Sequence, residues 1–335
     1  MTPSNPLRDE SGSTHLDSTA QIMDRISSQL GTQLSLVSPD GSRRPAPRSN
    51  PRSNPCPNLH PNLHPDPRPT LVLVAHGSRD PRALATVTAL AERIREQRPG
   101  LAVRLGHIEL SEPLLTDTLD ALTAHDLATH TGTTHTHTTH TRPQAVLVPL
   151  LLSRGQHVKR DIPAAAARFP ALDTRVADPL GPHPLLAEAL HARLVQAGWP
   201  ARPPGASARR RHAVVLAAAG SRDPESAADT ETAAGLLAER LGVPVVPAFA
   251  APTAACPRTV PEAVAELAAE GRTHTAVASY FTAPGRFATQ SATDAPWIAA
   301  APLGPHTALA HLVLHRYDQA RTAPAAALRR TLSSV

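Results

Sequence analysis

Lysine is almost missing from this sequence: Lys159 is the single one, and arginine supplies the remaining 32 basic positions. The arginines are spread along the chain and form no one basic stripe, so the net charge of +5 does not describe a nucleic-acid footprint. Aromatics are equally scarce, with four Phe, two Tyr and two Trp, too few to build platforms on which single-stranded bases could stack. Two cysteines, Cys56 and Cys256, cannot supply the four thiolates of an iron–sulfur cluster, and their separation excludes a CxxC zinc or redox motif. A reducing, cytoplasmic setting is expected. The longest apolar run, at 145–152, is interrupted by Pro149 and falls far short of the roughly 20 residues that a membrane helix needs. No cleavable leader is visible either. Neither a nucleic acid nor a membrane is therefore expected as a partner.

What the chain does have is enough length, 335 residues with 41% apolar, for two domains with cores of their own. Residues 1–69 stand apart. They hold 12 of the 36 prolines and the tandem pieces PRSNPRSNP and NLHPNLHP, a composition that buries too little to offset its ordering entropy, and are expected to be a disordered extension. From Leu71 short apolar runs alternate with helix-period segments. LVLVA at 71–75 reads as a buried strand, and Leu84, Val87, Ala91 and Ile94 repeat at helical spacing. A strand at 101–108 follows, then a helix expected to open on Ser111 and Pro113 with Leu115, Leu119 and Leu122 inside. A strand at 145–152, a short helix after Asp161, a strand at 174–177 and a helix at 184–197 complete the unit. Strands alternating with helices imply an α/β fold with a parallel sheet and right-handed crossovers.

The plan then repeats. LVLVAHGSRDP at 71–81 returns as VVLAAAGSRDP at 214–224, DPLGPH at 178–183 as APLGPH at 301–306, and the Gly155 turn as Gly285. Three landmarks in one order point to duplication. The expected organisation is a lobe at 70–200, a linker at 201–212, a second lobe at 213–323 and a tail at 324–335.

In open parallel sheets, ligands sit beyond the carboxyl ends of the strands. That rule selects His76 after the first strand, Glu109 closing the second and His157 just past the third. Imidazole and carboxylate suit a borderline divalent metal, and neutral imidazole also accepts a proton, so the rim can bind a metal or act as a base. A lone histidine at a strand end is more often structural. Here, however, all three groups vanish together from the second lobe, where Ala219 and Phe287 stand for the histidines and PAFAAPTA contains no acid. The chemistry is therefore expected in the first lobe. Glu112 is a second acid nearby, readable equally as a site residue or a first-turn carboxylate.

AHGSRDP, the ELSEP segment and GQHVKRDIP together resemble the sirohydrochlorin chelatases, class II enzymes that insert iron or cobalt into a tetrapyrrole without ATP. The resemblance is closest in the first lobe and architectural in the second. It implies two tandem flavodoxin-like lobes facing each other across a cleft. It further implies that His76 and His157 bind the metal and take protons, that Glu109 assists, and that no cofactor is tightly held. Fe2+ is favoured over Co2+ as the metal substrate, sirohydrochlorin is the small-molecule partner, and a monomer is expected. Because sirohydrochlorin is a polycarboxylate, Arg79, Arg154, Lys159 and Arg160, with Arg222 beyond them, are candidates to hold it. The repeated turn has a structural reading: glycine for a tight strand-to-helix turn, then Asp80 or Asp223 as a cap before proline.

One insertion departs from the family pattern. Residues 125–142 place five histidines in a Thr-rich stretch, readable as a solvated low-complexity loop or as a weak metal collector. A storage or delivery protein built on that stretch is the alternative function. A histidine phosphatase reading fails because Ala75, not arginine, precedes His76.

Overall fold

The computed structural model describes residues 68–130, 142–202 and 205–323. The Pro-rich extension up to residue 67, most of the His-rich insert and the tail from 324 lie outside the described residues. Among the described residues, eight strands form two parallel sheets of four. In the first, β1 (Thr70–Ala75), β2 (Val103–His107), β3 (Gln144–Pro149) and β4 (Asp173–Val176) run in the order β2-β1-β3-β4. In the second, β5 (His212–Ala218), β6 (Val245–Phe249), β7 (His274–Ser279) and β8 (Ile298–Ala299) run β6-β5-β7-β8. The order is the same in both, as duplication requires.

Helices connect the strands. They are α1 (Pro81–Gln97), α2 (Leu115–His130), α3 (Ile162–Ala167), α4 (Pro184–Gln196), α5 (Ala206–Arg211), α6 (Pro224–Leu241), α7 (Val260–Ala269), α8 (Arg286–Thr293) and α9 (Thr307–Thr322). Part of the expected linker is thus helical: α5 occupies its second half. The alternation of side chains along each strand decides which core it feeds. Leu71, Leu73 and Ala75 of β1, with Val214, Leu216 and Ala218 of β5, enter one core shared by both lobes, whereas Val72 and Val74 face a smaller core with Leu119 and Ile162. Ala213, Val215 and Ala217 face its counterpart in the second lobe. The shared core is filled from α1, α4, α6 and α9, with α9 packing on α1 and α4, and α4 on α6. No helix among the described residues is long and apolar enough to cross a membrane.

Polar contacts seal the join. Arg98 makes two bonds to Asp318 at 2.7 and 2.8 Å, and buried Tyr317 donates to the carbonyl of Pro69 at 2.7 Å. Tyr280 and Thr282 of the second lobe donate to the carbonyls of Leu152 and Leu150 at 3.0 and 2.9 Å.

The two repeated motifs have distinct structural causes. In GSRDP, Gly77 and Gly220 sit at φ of 97° and 95°, and both approach a backbone carbonyl of the neighbouring strand end. Asp80 and Asp223 cap α1 and α6 from their side chains, each followed by proline in the first turn. In the second motif, LGPH, the histidine is itself the cap: Nδ1 of His183 accepts from Leu185 N, and Nδ1 of His306 from Ala308 N, both at 3.2 Å. Accepting requires an unprotonated nitrogen. Burial, then neighbouring Arg316 for His183 and Arg193 for His306, holds both imidazoles below the ordinary histidine range. A folded pKa beneath the unfolded one gives stability that is full above the ordinary histidine value and lost as pH falls through the depressed values. The denaturant midpoint should accordingly fall as pH is lowered below the ordinary histidine value, and less so in His183→Asn, which caps without titrating.

Candidate active site

His76 follows β1 directly, and its side chain is 45% exposed. Its Nδ1 lies 3.3 Å from the carbonyl of Gly77, which can only accept, so this nitrogen carries the proton. Nε2 then faces Oε1 of Glu109 at 3.7 Å, beyond hydrogen-bond length. Glu109 is brought there by the strand-end ladder, Ile108 N to Ala75 O at 2.9 Å and Glu109 N to His76 O at 3.0 Å. The same ladder in the second lobe pairs Ala250 with Ala218 and Ala251 with Ala219. Glu109 therefore has Ala251 as its counterpart.

His157 completes the rim. Its ring centroid lies 4.9 Å from that of His76, edge to face at 89°. It opens a single π turn, His157–Asp161, which leads straight into α3. Such turns are rare and concentrate at functional sites. The wider i to i+5 spacing is visible in the bond from Ile162 N to His157 O. Within the turn, Nδ1 of His157 lies 2.6 Å from Oδ2 of Asp161. A carboxylate only accepts, so Nδ1 donates and Nε2 keeps its lone pair for a metal or a proton.

Asp161 is the functional candidate that sequence reading missed. Its signal was present: His-x-x-x-Asp places both side chains on one face of a helical turn, and Ser291 replaces the acid in the second lobe as Phe287 replaces the histidine. The sequence pattern starts a helix only after Asp161, whereas the backbone already winds from His157. Ser111 also differs from expectation. Rather than capping α2, its hydroxyl exchanges bonds with the backbone of Ser78, both at 3.1 Å. Asp117 instead accepts from Leu114 N at 3.2 Å, and Glu112 lies exposed on the turn.

The five basic candidates divide. Arg79, Arg160 and Arg222 are exposed. Arg154 and Lys159 are already engaged by carboxylates of the second lobe: Arg154 Nη2 lies 2.6 Å from Asp229 Oδ1, and Lys159 Nζ lies 2.5 Å from both Asp223 and Glu225. These two candidates pair with acids at the lobe junction. The physical reason is Asp229, whose side chain is only 3% exposed and requires a partner charge.

His76, Glu109 and His157 share one rim, but among the described residues no group of three His, Cys, Asp or Glu side chains is gathered tightly enough to hold a metal ion. The rim is open on its solvent side. Two cavities, of about 130 Å³ beside Asp161 and about 270 Å³ beside Ser291, occupy equivalent places in the two lobes and are small for a macrocycle.

Fold and rim together define a duplicated parallel α/β protein with a histidine–carboxylate site at the strand ends of one lobe. The CbiX family model matches residues 70–197 and 213–320, and the chain belongs to the CbiX family. A sirohydrochlorin ferrochelatase from Bacillus subtilis is 27% identical over 220 residues, covering 64% of this chain and 74% of that protein. A sirohydrochlorin cobaltochelatase from Methanococcus aeolicus is 32% identical over 93 residues, or 28% of this chain; the match spans 54% of the relative's length. Among solved structures, SirB from Bacillus subtilis with Fe3+ superposes with a TM-score of 0.57 at 23% identity, covering 76% of this chain and 96% of that one. That likeness concerns the fold.

Proposed function

We propose that this chain is a sirohydrochlorin chelatase that inserts a divalent metal into the macrocycle at the rim of its first lobe. The observation that carries the reading is the His76–His157 pair, 4.9 Å apart and lost as a pair from the second lobe. The names of the Bacillus and Methanococcus relatives support the reaction class. Insertion replaces two pyrrole N–H protons by one divalent ion, so the site must both deliver a metal and accept protons. Nε2 of His157, turned away from the Nδ1 bond that Asp161 accepts, suits either task when the ring is neutral. Glu109 stands beside His76 to stabilise a passing cation. An open, incomplete ligand set fits an ion that is substrate and must leave. Arg79 and Arg160 are exposed, and on this reading they meet the macrocycle's carboxylates.

The metal is Fe2+ in preference to Co2+ on this reading, although ligand softness separates the two only slightly. Anaerobic mixing of the chain with sirohydrochlorin and each metal in turn should convert the absorption spectrum to that of the metallated product, faster with Fe2+. Faster insertion of cobalt would reverse the preference, and no conversion with either metal would refute the proposal.

A further inference from the structure

The second lobe keeps a turn whose chemistry it has lost, and the contacts of that turn show a use for it. The His157 segment is gripped on both sides of the histidine by the N-cap and first two turns of α6. Three residues before His157, Arg154 donates its backbone N–H to Asp229 Oδ2 at 2.8 Å and its guanidinium to both Asp229 oxygens at 2.6 to 3.1 Å. Its Nη1 reaches Glu225 at 3.3 Å. Two residues after His157, Lys159 bonds Asp223 and Glu225, both at 2.5 Å. Ser153 and Ser226 hydroxyls meet at 2.7 Å.

The mirror-image position offers an internal control. Gly155 lies against Ser221, at 3.8 Å from a built Cβ, and Gly285 lies against Ser78, at 3.7 Å, so each lobe's third-strand segment meets the other lobe's turn in the same way. Yet the grip exists on one side alone. Ser153, Arg154 and Lys159 correspond to Ala283, Pro284 and Thr289, while Glu225, Ser226 and Asp229 correspond to Arg82, Ala83 and Thr86. Asp80, the counterpart of Asp223, pairs locally with Arg82 at 2.7 Å, and no partner for it in the other lobe is found among the described residues. Charge has been placed where a segment carries a histidine and left out where it carries Phe287. Contacts that served only to join the lobes would have no reason to follow the histidine.

We infer that Asp223, Glu225 and Asp229 of the second lobe are positioning residues that clamp Arg154 and Lys159, and thereby fix the π turn that aims His157 at His76. The clamp is built from charge-assisted bonds, one of them a fork onto a buried carboxylate. Fixing both flanks restrains the backbone between them, where a displacement of about 1 Å would cost on the order of 100-fold in rate. The role rests on the chelatase reading of His157, but the clamp can be tested without it.

The test uses the full chain with Asp229→Asn, Lys159→Met, Glu225→Gln and the conservative Lys159→Arg. In steady-state insertion, Asp229→Asn should lower kcat about 10- to 100-fold and Lys159→Met about 3- to 10-fold, with KM for sirohydrochlorin within about 2-fold and Lys159→Arg close to wild type. Hydrogen exchange without substrate should be faster in residues 155–161 of Lys159→Met, with β1 and β5 unchanged. Should Asp229→Asn fail to fold, Lys159→Met and Glu225→Gln decide, since those side chains are 35% and 47% exposed. A raised KM at constant kcat would mean that these residues touch the substrate and overturns the clamp, as does unaltered exchange. If the wild-type chain inserts no metal, the chelatase reading falls by itself and the exchange measurement alone judges the clamp.

Discussion

His157→Ala should lower the rate of metal insertion by about 10²- to 10⁴-fold, the range typical of a positioned proton acceptor, and His76→Ala should do the same. Folding should survive both changes. The His76 and His157 side chains are 45% and 37% exposed on an open rim, so truncation leaves little cavity, and the melting temperature should stay within a few degrees. Asp161→Asn should cost less than removal of the imidazole, because it loosens the ring's orientation and tautomer without deleting a ligand. Moving the histidine to the other lobe, as Ala219→His in the His76→Ala background, should restore nothing, since Ala251 and Phe287 stand where Glu109 and His157 would be needed. Initial rates under anaerobic conditions, taken on protein shown to be folded, check all four variants.

Gly77→Ala and Gly220→Ala should each cost about 2 to 4 kcal/mol of stability. Both glycines combine a left-handed φ with a close approach that leaves no room for a side chain. A Cβ at Gly77 would lie 1.6 Å from the carbonyl oxygen of Glu109, and one at Gly220 would lie 2.1 Å from that of Ala251. The backbone must move in either case. That the two lobes share this geometry while only one keeps its histidine explains why the turn was retained through duplication. Denaturant unfolding of each variant measures the loss, and a change below about 1 kcal/mol in either would contradict the packing described for the turn.

Much of this architecture was legible in the residues. Short continuous apolar runs such as LVLVA and VVLAA, separated by helix-period segments, are what a parallel sheet covered on both faces requires, and the GSRDP and LGPH repeats announce two copies. The strand-end rule also brought His76, Glu109 and His157 forward as a group. What escaped was set by the packing of one lobe on the other. Arg154 and Lys159 read as free cations because their partners, Asp229 and Asp223, lie 75 and 64 residues away. No local pattern records such a pairing. Asp161 escaped for a different reason: a π turn has no compositional signature, so its i,i+4 partner read as the start of the next helix. The shared core was hidden likewise, since the apolar stripes of α1, α4, α6 and α9 look the same whether they cover one sheet or fill the space between two.

Counting turnovers shows whether the first-lobe rim carries out metal insertion. Sirohydrochlorin and Fe2+ are supplied anaerobically in about 100-fold excess over the chain, and metallated product is followed by absorbance beside His76→Ala and His157→Ala controls. The expected result is many product molecules per wild-type chain and near-background conversion by both variants. Metal held stoichiometrically with the tetrapyrrole spectrum unchanged, or equal turnover by wild type and both histidine variants, would contradict it.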